Sequence, residues 1–305
     1  MLVGYSTAVR PGDIVRIYGG LPTTPLVREV YRSAVRAGGF AVADLTVDET
    51  IEDLLSEGSD AQIEWVPLDL RWTLEQADVM IVLDGPQNTK HLSRVDPAKM
   101  AVRAKGRAPY QKTYLERSGR GEFRWVLWGY PTNASAQDAG MSLEEFEALV
   151  HGAAFLDADD PIAAWQEFGA ELERVGSFLE TVKELRVVGE ETDLRLGVEG
   201  RTWIRADGHS NLPDGEVFTG PVEGSVEGTI RFTFPATIRG RFAEDVRLRF
   251  EGGEVVEATA TTGQDFLREM VGEGVSRRRA DDLGHPIAGD HLCHTIAVVQ
   301  LHGGS

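Results

Sequence analysis

The chain has 305 residues, of which 42% are hydrophobic and 26% are charged, and its formal net charge at pH 7 is −18. This length is enough for one large or two medium domains with real hydrophobic cores, and the composition is typical of a soluble globular protein. The acidic charge argues against nucleic acid as a partner, because a phosphate backbone requires a basic surface.

The cysteine count and the N-terminal sequence indicate the compartment. The one cysteine, Cys293, excludes an internal disulfide and is typical of a reducing cytoplasm. The N terminus lacks a basic segment followed by an apolar one, and no apolar run approaches the length of a membrane span. We therefore expect a cytoplasmic protein that does not bind a membrane.

The first half of the chain has the alternation of strands and helices that forms a parallel sheet. Residues 14–19 are a predicted strand, residues 24–37 a helix with Pro25 in its first turn, and residues 40–47 the next strand. A βαβ unit of this kind predicts parallel strands. The apolar run at residues 79–85 is typical of a strand that is buried on both faces. Further predicted elements are short helices at 48–55 and 72–76, a basic helix at 98–118 and a strand at 124–131.

Such a sheet raises the question of a nucleotide site, and the sequence argues against one. Gly19 and Gly20 follow the first strand without the G-x-G-x-x-G spacing, and no GxxxxGK[ST] sequence occurs. The basic helix is interpreted as a solvated face rather than as the site of an acidic partner. The first half therefore predicts a fold without predicting a ligand.

Two helices are predicted next, and their first residues suggest caps. Ser142 and Glu145 have the spacing of a capping box. Asp157, Asp159 and Asp160 precede the second helix and offer a possible metal cluster. Carboxylates are favoured at helix N termini by the dipole and the unsatisfied N–H groups, so we interpret these three as caps.

After residue 186 the sequence changes to short alternating strands separated by Gly-rich turns. This pattern predicts an antiparallel sheet with one buried face. We therefore predict an α/β fold class with two domains. Residues 1–185 form an N-terminal α/β domain with a parallel sheet, and residues 186–305 form a mainly antiparallel β (α+β) domain.

The stretch NLPDGEVFTGP at residues 211–221 holds one carboxylate in a defined place. Pro213 and Gly215 predict a tight turn, and Glu216 follows at the start of a short apolar strand. A carboxylate on a rigid backbone suits a divalent cation. From these residues alone, a surface glutamate after a turn is the simpler interpretation, and a metal ligand is the alternative.

Longer stretches around this turn resemble one family of enzymes. They are YSTAVRPGD (5–13), MSLEEFE (141–147), DADDPIAAW (157–165), TDLRLGVEGRTW (192–203), PVEGSVEGTIRFTFPA (221–236) and VRLRFEGGEVVEATATTGQDFL (246–267). Together they resemble the aminopeptidase T family of metallopeptidases, which includes the AmpS and PepS enzymes. The resemblance covers most of the chain up to about residue 283.

The resemblance implies a metallo-aminopeptidase, an exopeptidase hydrolysing peptides that have a free N terminus. It implies two divalent metal ions, with zinc, cobalt, magnesium and manganese as candidates, and a homodimer. Glu216 occupies the position of a family metal ligand. Asp193, in the TDLRL sequence, is a candidate for supporting the Glu216 site by hydrogen bonding. The alternative for Asp193 is a strand-end residue that satisfies backbone donors.

The sequence departs from the family at Leu283-Gly284-His285, where the family has Leu-Gly-Glu and the Glu is a further metal ligand. His285 is a candidate nitrogen donor at that position, and His291 and His294 have a chelating spacing if they are helical. Residues 284–305 do not match the family, whose Gly-Thr-x-His and His-x-Asp segments are missing here. The alternative is that this tail is unrelated sequence, from a shifted reading frame or a truncated gene.

Two functions follow from these observations. The first is a two-metal aminopeptidase whose second domain is incomplete at its C terminus, so that the chain as given is expected to be inactive. The second is a non-catalytic binding or scaffold protein that retains the aminopeptidase fold without its metal cluster. No catalytic residue is assigned in either case.

Overall fold

The computed structural model of the chain describes residues 1–238, 241–271 and 298–300. The strands, in chain order, are β1 (Ile14–Gly20), β2 (Phe40–Thr46), β3 (Val79–Asp84), β4 (Arg124–Gly129), β5 (Glu184–Gly189), β6 (Thr192–Gly197), β7 (Ile204–Ala206), β8 (Asn211–Leu212), β9 (Glu216–Phe218), β10 (Glu227–Phe232), β11 (Ala236–Ile238), β12 (Arg241–Ala243), β13 (Val246–Glu251), β14 (Glu254–Thr259) and β15 (Val298–Gln300). The α-helices are α1 (Thr24–Arg36), α2 (Glu49–Glu57), α3 (Asp60–Glu64), α4 (Leu68–Gln76), α5 (Pro97–Gly119), α6 (Asn133–Asp138), α7 (Leu143–Ala153), α8 (Pro161–Leu179) and α9 (Gln264–Val271). Within these described ranges, no helix has the length and apolar character needed to cross a membrane.

The chain divides into two compact units, and the predicted mixed α/β class is confirmed. The first unit contains Met1–Glu167 and Asp207–Asp214, and the second contains Phe168–Ala206 and Gly215–Ser305. The predicted domain boundary after residue 185 lies within β5, in the second of these units. The division into residues 1–185 and 186–305 stays a prediction.

The first unit is built on a parallel sheet of five strands in the order β2-β1-β3-β4-β8. β1 pairs with β2 over seven residues, from Ile14 opposite Phe40 to Gly20 opposite Thr46, and α1 makes the crossover between them. The predicted βαβ unit is therefore confirmed. In β3, Val79 and Ile81 are buried and Met80 is half-buried, which fits a strand covered on both faces.

The basic helix α5 has structural partners for two of its cations. Lys99 donates a hydrogen bond to the carbonyl oxygen of Ser56 in the last turn of α2 (3.1 Å). Arg117 donates to the carbonyl oxygen of Leu74 in the last turn of α4 (2.9 Å). Cations are favourable at helix C termini because they satisfy the last carbonyl groups and the dipole. These two positions therefore have an explanation that involves no acidic ligand.

The structure contains the predicted capping box of α7 and a cap from one of the three acids predicted to cap α8. Ser142 and Glu145 form a capping box at the start of α7, with the Glu145 carboxylate accepting from the Ser142 N–H group (2.8 Å). One carboxylate oxygen of Asp160 accepts from the N–H groups of Ile162 and Ala163 (3.0 Å each) at the start of α8. The cap interpretation is confirmed for Asp160.

The second unit contains the predicted antiparallel sheet, with five strands in the order β14-β13-β10-β6-β5. A smaller sheet has the order β15-β9-β7, and β11 pairs with β12. One core joins these elements to the second half of α8, and its largest fully buried side chains are Trp203, Phe250, Leu172, Leu194 and Leu196. Burial of this apolar surface is the main source of the unit's stability.

Candidate functional site

Glu216 is the first residue of β9 and is half-buried. β9 pairs in antiparallel with β7, where Ala206 lies opposite Glu216, and with β15, where Gln300 lies opposite Glu216. The next residue, Val217, is fully buried in the core of the second unit. The backbone at Glu216 is therefore restrained by strand pairing on both sides and by the buried side chain of Val217.

The turn before Glu216 is fixed by a close approach of Phe168 to Gly215. Gly215 has φ +130°, a conformation that side-chain-bearing residues rarely adopt. A Cβ atom at this position would lie 2.7 Å from Cε1 of the Phe168 ring. Both the backbone angle and the Phe168 ring require glycine at this position. The backbone conformation immediately before β9 is therefore restrained.

The neighbouring strand β7 is anchored to α8 by Arg205, whose side chain is largely buried. Its Nη1 group bonds the Glu180 carboxylate (2.7 Å), and its Nε group lies 3.2 Å from the Glu173 carboxylate. The guanidinium lies against Gly176, where any side chain would collide with it. Because β9 pairs with β7, this ion-pair cluster also restrains the strand that carries Glu216.

The far end of the β7–β9 pair is closed by two further hydrogen bonds. The Thr219 hydroxyl donates to the carbonyl oxygen of Thr202 (2.8 Å), and Nε of Arg201 donates to the carbonyl oxygen of Gly220 (2.8 Å). The β7–β9 pair is therefore restrained by hydrogen bonds at the Thr219 end and by the Gly215 turn at the Glu216 end. The Glu216 side chain therefore leaves the backbone from a restrained position, which suits a metal ligand.

Asp193 lies on β6, in a different sheet of the second unit from Glu216. Its two carboxylate oxygens accept from Nε and Nη2 of Arg186 (2.7 and 2.8 Å) on the adjacent strand β5. This hydrogen bond from Arg186 lowers the pKa of Asp193. The role of Asp193 in supporting the Glu216 site stays a prediction, and the partner that the structure gives its carboxylate is Arg186.

The predicted histidine donors lie outside the described residues. They are His285, His291 and His294. Within the described part of the chain, no group of three or more His, Cys, Asp or Glu side chains is arranged to hold a metal ion. A site for two divalent ions needs several donors shared around both ions. The described residues, with Glu216 as the one predicted ligand among them, therefore do not by themselves fit a two-metal centre.

The sequence did not predict that the segment before Glu216 contributes to the parallel sheet. β8, which is only Asn211–Leu212, pairs in parallel with Leu127 and Trp128 of β4. The N–H group of Leu127 also donates to the carbonyl oxygen of Ser210 (2.8 Å). The Leu212 side chain is buried in the first unit. Two residues between turn signals are too few for a periodic pattern, so this strand is specified by its neighbour β4.

The same segment carries a titratable cluster that the sequence reasoning also missed. Nδ1 of His209 lies 2.7 Å from the Asp207 carboxylate, and the Tyr5 hydroxyl donates to the carbonyl oxygen of Asp207 (2.8 Å). The Tyr5 and His209 rings are in contact, with centroids 4.5 Å apart. The hydrogen bond to Asp207 raises the pKa of His209, and burial raises the pKa of Tyr5 to about 12. The sequence Asp207-Gly208-His209, with an acid two residues before a histidine, was the signal that could have indicated this cluster.

Comparison with known proteins gives one family. The sequence profile of the family described as thermophilic metalloprotease (M29) matches residues 1–277. Aminopeptidase 2 of Geobacillus stearothermophilus is 27% identical over 297 residues, which are 90% of this chain and 72% of the relative. Aminopeptidase T of Thermus thermophilus is 28% identical over 244 residues, which are 74% of this chain and 60% of the relative.

A solved structure, wild-type AmpT from Thermus thermophilus, has the same fold. The two superpose with a TM-score of 0.76 at 25% sequence identity, over 90% of this chain and 74% of AmpT. The match therefore covers most of the described residues of this chain. The matched regions cover between 60% and 74% of the length of these relatives.

Proposed function

We propose that this chain, which belongs to the thermophilic metalloprotease family M29, is a metal-dependent aminopeptidase by type and that these 305 residues are inactive by themselves. The observation that carries the proposal is the match to this family over residues 1–277, together with similarity to named aminopeptidases over as many as 297 residues. The reaction is hydrolysis of the first peptide bond, and the substrates are peptides with a free N terminus. We place the protein in the cytoplasm, and we take the homodimer implied by the resemblance as part of the proposal.

In this proposal Glu216 is a ligand of a divalent metal ion. Its support is the fixed backbone of β9, which follows from the Gly215 turn and from the Arg205 cluster on β7. A carboxylate oxygen is the kind of donor that hard divalent cations prefer. We further propose that the site of the family takes two ions, and that in this chain His285 is a nitrogen donor and Asp193 a supporting group. Zinc, cobalt, magnesium and manganese are the candidate metals.

The proposal also limits how much metal the 305-residue chain itself can retain. A single carboxylate binds a divalent ion weakly, and the described residues do not fit a two-metal centre. We therefore propose that this chain holds less than one equivalent of tightly bound metal. The second candidate, a scaffold protein that keeps the fold without a metal cluster, is favoured by the same donor set.

An aminopeptidase assay tests this limit directly. We expect the purified 305-residue chain to release no leucine above background from a leucine-initiated peptide, even with added Zn²⁺ or Co²⁺. The physical reason is that metal-dependent hydrolysis depends on ions that one carboxylate cannot retain. Release that requires metal, is abolished in Glu216→Gln and survives in Glu254→Gln would contradict the limit and show that further donors act with Glu216. Glu254 is a matched control, because it is half-buried and begins a strand after Gly253.

A further inference from the structure

A cavity of about 620 Å³ lies beside α1, and all the residues that line it belong to the first unit. This volume is within the ~300–1,000 Å³ that small-molecule sites occupy. One wall is a stripe of α1 residues at helical spacing, namely Leu26, Glu29, Val30, Ser33 and Arg36. From Leu26 to Arg36 the stripe is about 15 Å long at the rise of an α-helix. The cavity therefore follows the axis of α1.

The other walls of the cavity are mainly apolar. Buried side chains from the N-terminal segment, β4 and β8 line it, namely Leu2, Val3, Trp128 and Leu212. The His151 ring of α7 also lines the cavity and stacks on the Trp128 indole, with centroids 6.3 Å apart. Walls of this composition favour a ligand that buries apolar surface.

The polar groups of the cavity wall favour a negatively charged ligand. Arg36 lies in the last turn of α1, is exposed, and makes no hydrogen bond or ion pair with the other described residues. The Trp128 indole N–H group is buried and has no acceptor in the described part of the chain. The Glu29 carboxylate, by contrast, is already paired with Arg32 (2.6 Å). The wall therefore offers a cation and a donor that lack partners, while its acid is neutralised.

We propose that this cavity binds a free carboxylic acid with a single alkyl tail, with the carboxylate at Arg36 and the tail along the α1 stripe. The guanidinium can donate two parallel hydrogen bonds to a carboxylate. The apolar walls then cover the tail. An amine of the same length fits less well, because the Glu29 carboxylate already has Arg32 as its partner.

The net charge of the protein makes this selectivity a local property. The chain carries a formal charge of −18, which repels anions in general. Affinity for a carboxylate in the cavity must therefore come from the Arg36 guanidinium and from burial of the tail. The site uses neither Glu216 nor a metal ion, so it does not rest on the proposed aminopeptidase activity.

Calorimetric titration of sodium decanoate into the full 305-residue chain, without added metal, tests the site. We expect one saturable site per chain. Decylammonium has the same tail and the opposite charge, and it should bind at least about tenfold more weakly, since it loses the charge-assisted hydrogen bonds. Octanoate should also bind about tenfold more weakly than decanoate, because each buried CH₂ group tightens binding about fourfold. The absence of saturable decanoate binding, or equal binding of decanoate and decylammonium, would overturn the proposal.

Substitutions on α1 locate the two ends of the ligand. Arg36→Gln should weaken decanoate binding at least about tenfold. The matched control Arg28→Gln removes an exposed cation of the same helix that does not line the cavity, and it should leave binding unchanged. Ser33→Trp should abolish binding by filling the cavity, whereas Val35→Trp, at an exposed position of α1 outside the cavity, should not. Equal affinities within either pair of variants would contradict the site at α1.

Discussion

Replacing Trp165 by alanine is expected to lower the free energy of unfolding of the first unit by about 3–5 kcal/mol. The side chain is completely buried, and its indole N–H group donates to the carbonyl oxygen of Ala154 (2.9 Å). Its ring packs against Phe155, with centroids 5.3 Å apart, and against the backbone of Gly208. The truncation removes a large apolar contact, leaves a cavity and takes away the Ala154 hydrogen bond. Within the DADDPIAAW sequence, Trp165 is thereby explained as a core residue and Asp160 as a helix cap.

Urea unfolding followed by fluorescence and far-UV circular dichroism measures this loss. The matched control is Trp65→Ala in the same unit, because the Trp65 side chain is 58% exposed. The control should change the free energy of unfolding by at most about 0.5–1 kcal/mol. Similar losses for the two tryptophans would contradict the packing described for Trp165.

Replacing Gly215 by alanine is expected to destabilise the second unit by about 2–4 kcal/mol. Two terms contribute. The backbone angle of φ +130° is strained for any residue that has a Cβ atom, and the Cβ atom would lie 2.7 Å from the Phe168 ring. Neither can relax without moving the start of β9 or the end of the loop that precedes it. The same movement would displace Glu216.

Gly200→Ala measures the cost of a Cβ atom at a positive φ where no steric contact follows. Gly200 also has a positive φ, +74°, but a Cβ atom there would have no described atom within 4 Å. We expect this variant to cost only the backbone term, about 1–2 kcal/mol. If the unfolding midpoints of the two alanine variants coincide, the contact between Phe168 and Gly215 contributes nothing and the account of the turn is wrong.

Local sequence signals were sufficient for much of the fold. The β1–α1–β2 unit, the capping box at Ser142 and the antiparallel strands of the second unit follow from periodicity, turn residues and caps. These signals act within about ten residues of chain. For the candidate site, they also gave the turn at Gly215 and the strand position of Glu216.

Features set by distant contacts were not predictable in this way. β8 joins the parallel sheet because of its pairing with β4, more than eighty residues earlier in the chain. The partner of Asp193 depends on the register of the β5–β6 pair, which brings Arg186 to it. The exposure of Phe40 and Val42 follows from the strand order, which places β2 at the end of its sheet. Such contacts join residues far apart in the chain, so the local pattern around any one of them does not predict its partner.

The central claim is that Glu216 is a metal ligand in a chain of the metallopeptidase family. Its most direct test is a calorimetric titration of Zn²⁺ or Co²⁺ into the purified chain, Glu216→Gln and Glu254→Gln at pH 7.5. We predict weak binding by the unmodified chain, which does not saturate at one equivalent of metal. Glu216→Gln should weaken this binding at least tenfold, and Glu254→Gln should leave it unchanged. Superimposable isotherms for the unmodified chain and Glu216→Gln would contradict the claim and favour the scaffold function.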